Sequence, residues 1–195
     1  MNKRVLICRH GESDSNSNAP TSSPWDIALT RRGQEQAKSA AASIAEQPEV
    51  ILSSRMKRAR DTAAHFSKRW PRVPVEVAEC HEFVYLVFPG TTTPEERRPL
   101  VTDYWERADP FEKSSAEDSE SFITCYQRAQ QFYDQLIGSE YSMIVVVSHG
   151  FFTQVLLHGM ILGFPQCDKA LMKEIYAQSK HAPIQNCQIV ELDLK

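Results

Sequence analysis

Two unbroken apolar runs lie at opposite ends of the chain. Val5-Leu6-Ile7 leads into Cys8-Arg9-His10-Gly11-Glu12, and Met143-Ile144-Val145-Val146-Val147 leads into Ser148-His149-Gly150. A strand that is apolar at consecutive positions keeps no face for water, so it needs cover on both sides. Central strands of parallel sheets have that character, with helices packed over each face. Such sheets place their chemistry beyond the carboxyl ends of the strands. Arg9 with His10, and then His149, leave the two runs at that position, which predicts one site assembled from both ends of the chain.

The segments between the runs fit a sheet of this kind. Thr30 is a candidate N-cap for an Ala-rich helix reaching about Gln47, and Asp14–Pro24 before it is too polar for a core. Val50–Leu52 reads as a short strand, followed by a helix over about Lys57–Trp70. Val73–Val77 is a weak strand whose Pro74 suits a sheet edge. Residues 83–93 are irregular. Two helices are expected at Pro94–Ala108 and Ser119–Ile137, then one at Phe151–Leu162, with a last alternating strand at Gln188–Leu192. Alternation of strands with helices predicts an α/β chain built as a three-layer α/β/α sandwich around a mainly parallel sheet. At 195 residues it suits one domain, 1–195, with an insert at about 83–118 lying over the active site and shaping the substrate pocket.

Adjacent histidine and arginine at a strand end point to phosphate chemistry. A phosphate monoester is a dianion, and its transferring group spreads charge over equatorial oxygens. Arginine meets that charge best through its planar, permanently charged fork. Arg9 is one candidate. Arg58 is the second, at the start of a helix whose N–H groups also favour anions. Neutral imidazole attacks phosphorus readily, and neighbouring arginines disfavour its protonated form, so His10 is the candidate nucleophile.

Arg9-His10-Gly11-Glu12-Ser13 with Asn16 resembles the opening motif of the histidine phosphatase superfamily, the phosphoglycerate mutase-like family. The likeness continues nearly end to end. Leu29-Thr30, Gly33 and Gln36-Ala37 resemble its first-helix segment, and Ser53-Ser54 through Arg58-Ala59 with Thr62-Ala63 resemble its Ser-Ser-x-x-x-Arg-Ala element. Glu120-Ser121 and Arg128 are similar to a later helix, and Val147-Ser148-His149-Gly150 to the second-histidine motif. The resemblance implies that His10 becomes phosphorylated while Arg9, Arg58 and His149 hold the phosphoryl oxygens, with a further hydrogen bond from Asn16. It also implies a carboxyl proton donor after the third strand. Glu82 is preferred over Glu79 from the register of Cys80 with the family's leucine. The glycine and tryptophan that often follow the acid are replaced by Phe83-Val84-Tyr85-Leu86.

The expected activity is therefore a metal-independent phosphatase acting on a small-molecule phosphate monoester, with no cofactor. Mutase-type phosphoryl transfer is the alternative enzyme, although residues 83–90 lack the mutase Arg-His-Tyr-Gly segment. Dephosphorylation of phosphohistidine on a protein, and a non-catalytic phosphate-binding module, stay open. His10, His81 and His149 lack metal-ligand spacing, and Val146–Gly150 lacks the first glycine of a serine-hydrolase elbow. A net charge of −3 gives no nucleic-acid or membrane signal. Five scattered cysteines without a C-x-x-C suit free thiols, and the absence of room for a signal peptide predicts a cytoplasmic protein. Phe83, Tyr85, Phe88 and Trp105 suit either a substrate entrance or the core. Arg97 and Arg98 are candidates for a second anionic group on the substrate, whereas Arg55 and Arg60 suit the surface or the rim. Oligomeric state is not readable from the sequence.

Overall fold

The computed structural model describes residues 2–194. Its sheet contains β1 (Lys3–Arg9), β2 (Val50–Ser54), β3 (Val75–Ala78), β4 (Met143–Ser148) and β5 (Ile189–Leu194) in the order β3-β2-β4-β1-β5. The four strands from β3 to β1 run parallel, and β5 closes the far edge antiparallel to β1. Six helices flank the sheet: α1 (Arg31–Ser43), α2 (Lys57–Arg69), α3 (Pro94–Arg107), α4 (Phe122–Gly138), α5 (Gly150–Leu162) and α6 (Lys169–His181). The predicted sandwich is the observed one, and β3 with its Pro74 lead-in is an edge strand. No helix among the described residues is long and apolar enough to cross a membrane.

Strand pleating explains the two apolar runs. Val5, Ile7, Ile144 and Val146 enter one buried cluster with side chains of α3 to α6. Leu6, Cys8, Val145 and Val147 enter a second with Ala40, Ala41, Ala59 and Phe66 of α1 and α2. Successive side chains point to opposite faces, so both faces of β1 and β4 are sealed by helices. Full burial of each such side chain contributes about 1.5–3 kcal/mol.

One boundary and one whole helix differ from the sequence expectation. Helix α1 ends at Ser43 rather than near Gln47, because Ile44 turns extended and buries its side chain in the second cluster. Between Leu162 and Gln188 no element is expected from the sequence, yet α6 forms there. Asp168 caps it by accepting from the Leu171 amide at 2.8 Å, and Leu171, Met172 and Ile175 are its buried stripe.

Helix α1 is held unusually close to the turn after β1. Thr30 caps the helix by accepting from the Gly33 amide at 3.0 Å, as expected. The Thr30 amide also donates to the Glu12 carbonyl at 2.9 Å, and the Glu12 amide donates to Gln36 Oε1 at 2.8 Å. A Cβ on Gly33 would fall 1.9 Å from the Glu12 carbonyl oxygen, and one on Gly11 would fall 2.4 Å from the Gly33 oxygen. Leu-Thr-x-x-Gly-x-x-Gln is therefore a scaffold for the turn that carries His10. Gly33→Ala is expected to lower stability by about 1–3 kcal/mol through this backbone clash. A urea unfolding midpoint equal to that of the unchanged protein would contradict it.

Candidate active site

The sheet order brings the two histidines together. β1 and β4 pair in register, Arg9 beside Ser148, so the residues that follow emerge side by side at the carboxyl edge. The rings of His10 and His149 lie 5.0 Å apart, tilted by 59°. β2 pairs with β4 on its other side, and the chain from Ser54 turns at once into α2, delivering Arg58 to the same edge. His10, His149 and Arg58 are all buried.

His10 has a fixed tautomer. Its Nδ1 lies 2.7 Å from the Gly11 carbonyl oxygen. A carbonyl only accepts, so Nδ1 carries the proton and Nε2 keeps the lone pair. Arg58 Nε–H donates to that Nε2 at 3.1 Å. The turn is braced by the Gly11 amide donating to Thr62 Oγ1 at 3.1 Å, which gives Thr62 of the Thr62-Ala63 pair a structural task. Burial and the Arg58 charge, with a smaller push from Arg9, hold His10 well below the ordinary histidine range against the opposing Gly11 bond. Burial, then Arg58 and His10, do the same to His149. His149 Nε2 meets Ser54 Oγ at 2.8 Å, while Nδ1 has no partner among the described residues. Burial lowers Arg58 to about 10, opposed by the charge of Glu82, so the guanidinium remains a cation at neutral pH. Its Nη1 donates to the Pro24 carbonyl at 2.7 Å. Arg9 reaches the Ile184 carbonyl through Nη1, and its buried Nε is unpartnered among the described residues.

The two candidate acids separate clearly. The Glu82 carboxylate accepts from the amides of Phe152 at 2.9 Å and Phe151 at 3.2 Å, at the N-terminus of α5, and from Phe83 at 3.1 Å. Its charge is felt by both Arg9 and Arg58. The Glu79 side chain is 59% exposed and turns to His81 Nδ1 at 3.3 Å. Arg128 explains how the loop between them is held. It pairs with Glu120 and donates Nη1 to the carbonyls of Glu79 at 3.0 Å and His81 at 2.9 Å. Ser148 Oγ–H donates to the Cys80 carbonyl at 2.7 Å.

Asn16 accepts through Oδ1 from the Ser13 amide at 3.1 Å and from Ser13 Oγ at 2.9 Å, so its side-chain amide closes its own turn. Asn186, which sequence reasoning missed, donates Nδ2 to the His10 carbonyl at 3.0 Å and to Asn16 Oδ1 at 3.2 Å. No local motif marks it, because it reaches the site only through the β5 connection.

Two clefts open beside Glu82. One, of about 230 Å³, includes Arg58, Ser22, Ser23, Phe88 and Arg97 in its wall; the other, of about 280 Å³, includes Arg9, Trp105, Phe151 and Tyr176. Phe83 and Tyr85 line both. Phe83 and Trp105 are also core residues, so the two expectations for these aromatics meet in the same side chains. Arg97 faces the first cleft, whereas Arg98 is exposed beside Glu95. Arg55 lies over the Trp25 ring at 4.3 Å, and Arg60 is exposed. Among the described residues, no three His, Cys, Asp or Glu side chains gather in a way that could hold a metal ion.

A family model described as the histidine phosphatase superfamily (branch 1) matches residues 5–193. A glucosyl-3-phosphoglycerate phosphatase of Mycolicibacterium vanbaalenii is 37% identical over 68 residues, covering 34% of this chain and 30% of that protein. A Schizosaccharomyces pombe protein named as a probable phosphatase is 32% identical over 168 residues, covering 80% of this chain and 56% of that protein. The chain thus spans about a third to a half of the curated relatives it matches. The alpha-ribazole phosphatase of Shigella flexneri has the same fold, with a TM-score of 0.77 at 21% identity over 98% of this chain and 91% of that one.

The neutral, buried histidines give a pH prediction. His10 and His149 sit below their ordinary values, and burial with Arg128 and Arg55 lowers His81 to about 3. The unfolded chain takes up these protons near pH 6.5 while the folded one does not, so stability falls as the pH drops below about 6.5. Each such histidine contributes a slope of up to about 1.4 kcal/mol per pH unit down to its folded value. Urea midpoints at about pH 7.5 and about pH 5.5 check this; equal midpoints would refute it.

Proposed function

This chain belongs to the histidine phosphatase superfamily, and we propose that it hydrolyses the phosphate monoester of a small molecule through a phosphohistidine on His10. The observation that carries the reading is the Nδ1–H bond of His10 to Gly11, which makes Nε2 the unprotonated nitrogen and turns its lone pair toward the Arg58 guanidinium. In the first step Nε2 attacks phosphorus in line. The bond to the leaving oxygen breaks, and Glu82 passes to this oxygen the proton that the monoester monoanion brings into the pocket. In the second step water attacks the phosphohistidine, Glu82 accepts the water proton, and inorganic phosphate leaves with His10 restored. Arg9, Arg58 and His149, with Asn16 at the rim, stabilise the equatorial oxygens by preorganised charge and donors. Arg58 exchanges its bond with Nε2 for one to a phosphoryl oxygen when substrate arrives. No step calls for a metal.

The named activities of the relatives support hydrolysis over mutase transfer. We read residues 1–195 as one domain in which the segment at about 83–118 shapes the pocket, since Phe83, Tyr85 and Arg97 line the clefts beside Glu82. Arg97 is tethered to Thr21 Oγ1 at 2.8 Å and to the Thr92 carbonyl at 3.2 Å, and it has no acidic partner among the described residues. That suits a leaving group carrying a second anion.

Phosphate release from an aryl phosphate, measured with chelator present, is expected to vanish in His10→Ala, and the unchanged protein should yield an acid-labile phosphoenzyme on rapid quench. Chelator-sensitive turnover, or turnover surviving in the variant, would overturn the mechanism. Glu82→Gln should lower kcat by about 10²–10⁴ for alkyl phosphates, which need a proton donor most, while Glu79→Gln stays near the original rate. Equal effects of the two would remove Glu82 from the role.

Arg97→Ala is expected to raise KM by about 10- to 100-fold for monoesters bearing a second anionic group, leaving neutral aryl phosphates unaffected. Arg98→Ala serves as the control. An unchanged ranking across a panel of phosphate esters would defeat this assignment.

A further inference from the structure

Two cysteines flank the Arg9 carbonyl directly behind the nucleophile, and nothing in the proposed reaction uses them. Cys8 ends the buried part of β1, next to Arg9 and His10, and its Sγ lies 3.4 Å from the Arg9 carbonyl oxygen. The Cys187 amide donates to that same oxygen at 3.0 Å. Both side chains belong to the cluster under α1 and α2. Cys187 is only half-buried and lines an open surface concavity with Arg32, Gln36, Ser39 and Ser43, so small solutes reach it from solvent. Its backbone is left-handed, with φ of 58°, an unfavourable conformation for a side chain with a Cβ.

We propose that Cys8 and Cys187 form an oxidation-sensitive pair in which a peroxide converts the two thiols to a disulfide and so switches the site off. The chemistry balances in two steps. The Cys187 thiolate attacks the peroxide oxygen, the O–O bond breaks, and Cys187 becomes a sulfenic acid as the peroxide is reduced to water or an alcohol. The Cys8 thiol then attacks that sulfur, the S–O bond breaks, water leaves, and the disulfide remains.

The surroundings favour Cys187 as the attacking sulfur. Contact with the Cys8 thiol, together with the Arg9 cation, lowers Cys187 below the ordinary thiol range despite partial burial. The same contact and full burial push Cys8 up, so it stays protonated until the sulfenic acid forms. The remaining cysteines are poor competitors, since burial raises Cys80 to about 12, Cys167 to about 11 and Cys125 well above its usual value.

Asn186 connects the pair to the nucleophile. It precedes Cys187 in the tight turn closed by the Gln188 amide on the Gln185 carbonyl at 3.0 Å, and its side chain holds the His10 carbonyl. Drawing Cys187 toward Cys8 shifts that turn and the Arg9 carbonyl shared by both cysteines. A displacement of about 1 Å at a reacting group costs on the order of 100-fold in rate.

The test treats the full chain with hydrogen peroxide, then alkylates free thiols and maps peptides by mass spectrometry while phosphate release is followed in parallel. The expected result is a Cys8–Cys187 disulfide, phosphate release reduced on the order of 100-fold, and recovery with dithiothreitol. Cys187→Ser should keep its activity in peroxide. The activity arm rests on the phosphatase reading, and the peptide map does not. A map showing both cysteines still free to alkylate overturns the pair even if that variant folds poorly. A disulfide that leaves phosphate release unchanged overturns the switch.

Discussion

The structure turns on a buried cation, Arg58, to which no carboxylate is bonded among the described residues. Arg58 gives its hydrogen bonds to a neutral imidazole and a backbone carbonyl, and its charge is balanced only through space by Glu82. A guanidinium held in this way is expensive to bury. Together with burial, the same charge keeps His10 and His149 unprotonated, and with Arg9 it gives the pocket an unmet demand for negative charge. In the reaction proposed here, a phosphoryl dianion would answer that demand. The α1 scaffold and the Arg128 clamp hold in place the turn that carries His10 and the loop that carries Glu82.

Much of this was legible in the sequence, for a physical reason. Consecutive apolar residues admit few environments, so β1 and β4 declared themselves as central strands and their exit residues as neighbours at one edge. Thr30 and the helix after it were equally readable, because capping is local chemistry. Glu82 was harder: register alone favoured it over Glu79, and the contrast between a carboxylate seated on the first amides of α5 and an exposed one becomes visible only once α5 is folded against the loop.

What escaped was whatever depends on a partner distant in sequence. Arg128 carried no readable role because its acceptors are two backbone carbonyls of the 79–82 loop, and a carbonyl leaves no mark in a sequence. Asn186 was invisible for the same reason, since it bonds the backbone of His10. Helix α6 was missed although Asp168 and the residues after it are ordinary helix-forming material. The chain after Leu162 lacked the strand-to-helix rhythm on which the rest of the assignment leaned.

The order of the sheet also governs how the molecule comes into being. β1 precedes the other strands of the sheet, yet its two neighbours are β4 and β5, the last two of them. During synthesis its apolar run therefore waits, unpaired on both edges, until β4 has emerged. Pairings this distant in sequence make for slow folding and a long interval of exposed apolar surface. The turn that carries Arg9 and His10 thus stays unassembled until β4 arrives beside β1.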